Sequence, residues 1–112
     1  MNKDLKIAKK TVETEIIALK KLSSTFNKTS QFSKAVNLLS KMKGKCLVVG
    51  VGKSYIVGLK VSSTLSSLSI PSVAFSANDL QHGGLGAIQK NHDCLLIFSV
   101  SGESSELNSI LK

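Results

Sequence analysis

The stretch Cys46-Leu47-Val48-Val49-Gly50-Val51-Gly52-Lys53-Ser54 is a short apolar run, rich in β-branched side chains, that ends in a polar turn with two glycines. Apolar runs of this length are typical of a parallel strand that is buried on both faces. The apolar residues of the segment from Ser54 to Leu68 recur at helical spacing, and Pro71 closes it. A strand, a turn and a helix are therefore predicted in succession, which is the repeating unit of an α/β fold.

The flanking sequence extends the same pattern in both directions. Further strands are predicted over Ser72 to Phe75 and Cys94 to Val100, with a loop or weak helix between them over Asn78 to Ile88. Two amphipathic helices are predicted ahead of the first strand, over residues 3–26 and 31–42. The order helix, helix, strand, helix, strand, loop-helix, strand, helix predicts an open parallel sheet covered by helices on both faces.

The predicted elements divide the chain into two parts. Residues 1–45 are expected to form N-terminal helices that pack on the domain, and residues 46–112 to form the first part of the α/β domain. Three strands make a narrow sheet, since roughly five or six are usual, and the last helix has barely begun at Lys112. We therefore expect the front part of a larger domain, or a protein that completes its sheet through a partner.

Composition narrows the class of protein. The 112 residues are 42% hydrophobic, which is enough for one globular core. No apolar run approaches the roughly 20 residues that span a bilayer, and the lysine-rich N-terminus lacks the apolar region of a signal peptide. These features predict a soluble cytoplasmic protein with no membrane partner. Cys46 and Cys94 stand at the entry to apolar runs and are predicted to be free, structural cysteines.

The net charge of +8 invites a nucleic-acid hypothesis, which the residue types oppose. All 15 basic residues are lysines, and arginine, the usual reader of base edges, is absent. Four phenylalanines, one tyrosine and no tryptophan leave little for a platform on which single-stranded bases could stack. A nucleic-acid partner is therefore not expected.

The polar stretch Ser99-Val100-Ser101-Gly102-Glu103-Ser104-Ser105-Glu106 follows the third predicted strand. Open α/β sheets bind ligands at the carboxyl ends of their strands, and hydroxyl and backbone N–H groups there can share one anionic group. Glu103, close to the start of a helix, is then a candidate acid or base. The alternative is a capped helix start without a ligand, and Glu106 is equally explained as a first-turn helix charge.

The turn Gly50-Val51-Gly52-Lys53-Ser54 departs from two nucleotide-binding motifs. A P-loop would need a glycine where this chain has Leu47, and a dinucleotide fingerprint would need its third glycine at Tyr55. Lys53 is nevertheless well placed to meet an anion, although an ordinary strand-to-helix turn is the alternative. His82, in a loop with three glycines, specifies no chemistry by itself.

In combination, three segments resemble the sugar isomerase (SIS) domain family, and within it the arabinose 5-phosphate isomerases. They are Gly50 to Ser54, Gln81-His82-Gly83-Gly84-Leu85-Gly86, and Ser99 to Glu106. The resemblance runs from about residue 5 to the C-terminus and implies a three-layer open parallel sheet flanked by helices. It also implies interconversion of D-arabinose 5-phosphate and D-ribulose 5-phosphate through an enediolate, a step towards Kdo and lipopolysaccharide. A noncatalytic sugar-phosphate-binding module and another SIS isomerase, such as a hexulose 6-phosphate isomerase, remain alternatives.

The resemblance also assigns roles to individual residues. Lys53 matches a functional lysine suited to oxyanion or phosphate stabilisation, and Glu103 matches a catalytic glutamate suited to proton transfer. The positions expected to contact substrate are Ser54, His82, Ser99, Ser101, Ser104 and Glu106. No cofactor is implied, and Ser76 stands where some members carry a metal-binding histidine, so no zinc is expected there.

Assembly is implied by the resemblance as well. Family members form tetramers in which neighbouring subunits complete the active site, so a homo-oligomer is expected. A further catalytic glutamate and histidine of the family lie beyond the Ser101-Gly102-Glu103-Ser104 element, in sequence that is absent here. The family's usual pair of regulatory CBS domains is absent too. We therefore expect the 112-residue chain to carry an unfinished site, and whether the chain is active on its own is left open at this point.

Overall fold

A computed structural model describes residues 2–26, 28 and 30–112 of the chain. Its α-helices, β-strands and one 3-10 helix are, in chain order, α1 Lys3–Thr25, α2 Gln31–Ser40, β1 Cys46–Gly50, α3 Lys53–Ser67, β2 Ser72–Ser76, α4 Ala77–Gln81, the 3-10 helix Gly84–Ala87, β3 Cys94–Phe98 and α5 Ser105–Ile110. None of the helices in these residues is long and apolar enough to cross a membrane.

The three strands form one parallel sheet in the order β2-β1-β3. Cys46 at the start of β1 is paired with Ser72 and Cys94, and Gly50 at its end is paired with Ser76 and Phe98. All five residues of β1 are buried, as expected for a central parallel strand made of a continuous apolar run. The predicted open parallel α/β sheet is confirmed.

Helices cover both faces of the sheet because alternate strand residues point in opposite directions. On one face, Leu47 and Val49 form the core with side chains from α4 and α5, which are Ala77, Leu80 and Leu107. On the other face α3 lies close to β1, since a Cβ atom added at Gly58 would be 3.2 Å from Val48 Cγ1. Helix, sheet and helix thus make three layers.

The two crossover connections lie on opposite faces of the sheet, and this sets the place of a ligand crevice. The β1-to-β2 connection runs through α3 on the Val48 face, whereas the β2-to-β3 connection runs through α4 on the Leu47 face. After β3 the chain enters α5, which also packs on the Leu47 face. The loops that follow the adjacent strands β1 and β3 therefore run to opposite faces of the sheet. This arrangement is the topological switch point where open α/β sheets bind ligands.

The contacts divide the chain into two compact units, residues 1–37 and 38–112, so the division falls within α2. The first unit contains α1, which Asn2 caps by accepting the Asp4 N–H at 3.2 Å. No residue of α1 is buried, and the rings of Phe26 and Phe32 lie 5.0 Å apart.

Several element ends differ from the predictions by one or two residues. Strand β3 ends at Phe98 rather than at Val100, because Ser99 already folds back to bind the loop that follows. Part of the segment over Asn78 to Ile88 is an ordered helix, α4, which begins at Ala77 because the Ser76 hydroxyl caps it.

Candidate functional site

The turn after β1 depends on two glycines. A Cβ atom at Gly50 would lie 2.6 Å from the Ser54 carbonyl carbon and 2.6 Å from the Tyr55 backbone nitrogen, so a side chain there would collide with the first turn of α3. Gly52, the N-cap residue of α3, has φ +55° and ψ −122°, a conformation that glycine adopts without strain. The two glycines let the chain turn sharply and make Lys53 the first residue of α3.

Lys53 stands at the positive end of a fifteen-residue helix. Its side chain is exposed and Ser54 is half-buried, with the Ser54 N–H donating to the Val51 carbonyl at 3.1 Å. Neither the Lys53 ammonium nor the Glu103 carboxylate has an ion-pair partner within residues 2–26, 28 and 30–112. Both charged groups are therefore available to a ligand.

The loop after β3 is held by its own serines. Ser99 Oγ accepts the Gly102 N–H at 2.8 Å, and Ser101 Oγ accepts the Glu103 N–H at 3.1 Å. Gly102 has φ +72°, which favours glycine at this turn. Because each hydroxyl uses an oxygen lone pair in these bonds, its hydrogen stays free to donate to an anion.

Helix α5 begins directly after this loop. Ser104 is its N-cap residue, and the Ser104 carbonyl accepts the N–H groups of Leu107 and Asn108. The Ser104 hydroxyl makes no capping hydrogen bond, which leaves it available to a ligand. Glu106 is exposed in the first turn of α5, where the Ser105 hydroxyl donates to its Oε2 at 3.3 Å.

The segment after β2 starts at the same edge of the sheet. Ser76 Oγ accepts the Asp79 N–H at 3.1 Å and donates to the Asp79 carboxylate at 2.6 Å, so its oxygen serves as a helix cap. His82 follows α4 and is exposed, and its backbone N–H donates to the Asn78 carbonyl at 3.1 Å. Gly83 comes next with φ +117° and open space around it, so the backbone beside His82 is accessible.

A side chain that the motif comparison left without a role links two of these segments. Gln81 Nε2 donates to the Glu106 carbonyl at 2.8 Å and to the Ser109 hydroxyl, joining the end of α4 to α5. His82 is therefore next to a residue that is bound to the helix carrying Glu106. The sequence signal for this was that Gln81 is the first residue of the segment that contains His82; the bond itself spans 25 positions.

The strand register brings the predicted site residues to one edge of the sheet. Gly50, Ser76 and Phe98 are paired across the three strands, and every predicted site residue follows one of them in the chain. Lys53 and Ser54 follow the central strand, and the serine loop with Glu103 follows its neighbour at the switch point. His82 is set apart from these by α4, which lies between it and the end of β2.

The described residues contain no group of three or more histidine, cysteine or acidic side chains that could hold a metal ion. The arrangement of hydroxyl donors, one lysine and one carboxylate is suited instead to a phosphate-bearing ligand and to proton transfer next to it.

Comparisons with known proteins agree on one family. Residues 38–112 match the model of the SIS domain. An arabinose 5-phosphate isomerase, KpsF, of Escherichia coli O6:H1 is 35% identical over 99 residues, covering 88% of this chain and 30% of its own. KdsD of Pseudomonas aeruginosa, also named arabinose 5-phosphate isomerase, is 41% identical over 80 residues, covering 71% of this chain and 24% of its own. The chain spans between 24% and 30% of the length of these curated relatives.

Solved structures show the same likeness in three dimensions. An Escherichia coli structure in complex with arabinose 5-phosphate superposes with a TM-score of 0.88 at 29% identity, covering 99% of this chain and 58% of the other. A Bacteroides fragilis structure superposes with a TM-score of 0.68 at 31% identity, covering 90% of this chain and 56% of the other.

Proposed function

This chain belongs to the SIS domain family, and from that premise we propose that it binds a sugar phosphate and takes part in interconverting D-arabinose 5-phosphate and D-ribulose 5-phosphate. The relatives named arabinose 5-phosphate isomerase and the neighbour in complex with that sugar phosphate support this substrate.

One observation carries the proposal. Lys53, which has no ion-pair partner among the described residues, and the serine loop with Glu103 follow adjacent strands, β1 and β3, at the point where their loops diverge. A crevice of this kind offers a cation, hydroxyl donors and a helix N-terminus to the phosphate, and it offers a carboxylate to the reacting carbons. An anion-binding turn alone would need the serines and Lys53 and would have no use for Glu103.

The proposed roles follow from the chemistry of aldose–ketose isomerisation. Ser54, Ser99, Ser101 and Ser104 donate hydrogen bonds to the phosphate, and their combined donors replace its water shell. Glu103 removes the proton from C2 of the open-chain aldose and returns it to C1 of the enediolate, while the hydroxyl proton on O2 moves to O1, which yields the ketose. Positive charge near the developing oxyanion, supplied by Lys53, stabilises the enediolate.

His82 and Glu106 complete the proposed set as groups that contact the sugar hydroxyls. Both are exposed, and Gln81 connects their two segments through its bond to the Glu106 carbonyl. A histidine and a carboxylate at such positions would hold the open-chain sugar so that C1 and C2 face Glu103.

The resemblance supports finer parts of the proposal. From the resemblance to the arabinose 5-phosphate isomerases we propose that the product leads to Kdo and lipopolysaccharide precursors and that the chain acts in a homo-tetramer in which neighbouring subunits complete the site. From the composition we propose a cytoplasmic location. A cytoplasmic location also suits the ligand, because a charged sugar phosphate does not cross a bilayer unaided.

The experiment separates binding from proton transfer. Calorimetric titration of the chain with D-arabinose 5-phosphate is expected to show binding, and D-arabinose, which lacks the phosphate, is expected to bind far more weakly. Exchange of the C2 proton of the bound aldose with deuterium in D2O then reports the chemical step. The absence of binding, or equal binding of the two sugars, would contradict the proposed site.

Variants assign the acid–base role. Glu103→Gln is expected to keep the affinity within about threefold and to lower the rate of deuterium exchange roughly 10²- to 10⁴-fold. Glu13→Gln, an exposed carboxylate of α1, is the matched control and should change neither quantity. Binding without exchange in the unmodified chain would contradict catalysis by this chain alone, and it is the result expected both of a noncatalytic sugar-phosphate-binding module and of an enzyme site that needs further residues.

A further inference from the structure

The two cysteines occupy equivalent positions at the start of neighbouring strands. Cys46 is the first residue of β1, Cys94 is the first residue of β3, and the two are paired in the parallel register. Paired residues point to the same face of the sheet, and neighbouring strands lie about 4.8 Å apart. This separation falls within the roughly 4.4–6.8 Å between Cα atoms that a disulfide can join.

The backbone on each side of the pair holds this register. The Lys45 carbonyl accepts the Cys94 N–H at 3.0 Å, and the Asp93 carboxylate accepts the Lys45 N–H at 2.8 Å. On the other side of β1, the Cys46 N–H donates to the Pro71 carbonyl at 2.8 Å. The two cysteines cannot slide apart without breaking these bonds.

Both thiols are free, but they differ in access. Cys46 is fully buried, whereas Cys94 keeps 8% of its surface exposed. The Cys94 thiol donates to the Leu38 carbonyl at 3.7 Å, at the end of α2. Burial raises the pKa of the Cys46 thiol and the nearby Cys94 raises it further, which agrees with two sulfurs in the same small space. A reagent would therefore reach Cys94 first.

We propose that Cys46 and Cys94 form a redox-active dithiol that a small-molecule disulfide, such as oxidised glutathione, converts to a cross-strand disulfide. The Cys94 thiolate attacks one sulfur of the oxidant, which releases one glutathione thiolate and leaves a mixed disulfide. Cys46 then loses its proton to solvent and attacks the Cys94 sulfur, which releases the second glutathione as a thiolate. The two glutathione thiolates take up two protons, equal to those that the two cysteines have lost. Two protein thiols are oxidised and one glutathione disulfide is reduced to two thiols, so atoms and electrons balance.

The disulfide would join the strands at the edge of the sheet opposite the proposed sugar-phosphate site. Cys46 and Cys94 begin their strands, whereas Lys53 and Glu103 follow the ends of the same two strands. Oxidation is therefore expected to link β1 to β3 without contact with either of those two residues.

The test uses the folded chain in glutathione redox buffers, followed by thiol blocking, intact mass measurement and non-reducing peptide mapping. Both free thiols are expected to disappear together, with a mass about 2 Da lower, and the peptides of Cys46 and Cys94 should be linked. Circular dichroism should be unchanged, and dithiothreitol should restore both thiols.

Single variants are the controls. Cys46→Ser is expected to stop at a stable glutathione adduct on Cys94, and Cys94→Ser is expected to stay unmodified because Cys46 is fully buried. Stable glutathione adducts on the unmodified chain, disulfides between chains, or thiol loss only in denaturant would overturn the proposal. If a serine variant does not fold, the peptide map of the unmodified chain decides the outcome.

Discussion

Asp93 binds Lys45 through both of its carboxylate oxygens. Oδ1 accepts the Lys45 backbone N–H at 2.8 Å, and Oδ2 accepts the Lys45 ammonium, also at 2.8 Å. Oδ2 further accepts the Gln89 N–H at 2.7 Å. The hydrogen bonds from the Lys45 side chain, the Lys45 backbone and Gln89 lower the pKa of Asp93 from 3.8 to about 2. Since these two residues immediately precede β1 and β3, the pair sets where both strands begin.

This pair predicts acid-sensitive stability. Because the folded state lowers the pKa of Asp93, its stabilisation is complete above the ordinary pKa of 3.8 and is lost as pH falls towards about 2. Over that range, unfolding of the unmodified chain should take up about one more proton than unfolding of Asp93→Asn, because Asp93 is protonated in the unfolded state and ionised in the folded state. Urea unfolding at a series of pH values measures this difference. Parallel pH profiles for the two proteins, with Glu13→Gln as the exposed control, would contradict it.

The turn after β1 predicts a large difference between two glycines. Gly50→Ala is expected to lower the free energy of unfolding by about 1–3 kcal/mol or more, because its Cβ atom would meet the backbone of Ser54 and Tyr55 at 2.6 Å. Gly86→Ala is the matched control, since a Cβ atom there would have none of the described residues within 4 Å and its φ is not positive, and its stability should change by no more than about 0.5 kcal/mol. Chemical denaturation of both variants measures the difference, and a Gly50→Ala protein as stable as Gly86→Ala would show that α3 does not approach β1 so closely.

The position of α5 predicts a core contribution from one leucine. Leu107 is 4% exposed and packs with Leu47, Val49 and Leu80, whereas Leu111 is 66% exposed. Leu107→Ala should cost about 2–5 kcal/mol through lost burial and a residual cavity, and Leu111→Ala should cost well under 1 kcal/mol. Thermal and denaturant unfolding would show it, and equal effects of the two changes would mean that α5 does not belong to the folded core.

Local patterns explain how much of the fold could be predicted from the sequence. The apolar run at Cys46 to Val49 and the break at Pro71 identify a strand and a helix end without any tertiary information. The order β2-β1-β3 depends on which faces α3 and α4 cover, and that choice is made by long-range packing. The pairing of Cys46 with Cys94 depends on the same register, so two cysteines 48 positions apart could not be recognised as neighbours.

The candidate site, like the fold, could be predicted from the sequence only in part. The motifs around Lys53 and Ser99 to Glu106 identify the segments, because each follows an apolar run that predicts a strand. The hydrogen bonds that Ser99 and Ser101 make inside their own loop were not predictable, since a serine after a strand binds a ligand or the backbone equally well. The link from Gln81 to Glu106 needs two helices to meet in space.

That link gives the last prediction. Gln81 donates to the Glu106 carbonyl and to the Ser109 hydroxyl, and a neutral hydrogen bond contributes about 0.5–1.5 kcal/mol. Gln81→Ala should therefore speed amide hydrogen exchange in α5 by roughly 2- to 13-fold while β1 stays protected, because exchange in a short helix follows its local opening. The control is Gln89→Ala, an exposed glutamine whose bond to Asp93 uses only its backbone N–H. Unchanged exchange in α5 would show that apolar packing through Leu107 and Ile110 holds the helix without the Gln81 bonds, whereas faster exchange in β1 as well would indicate a loss of global stability instead.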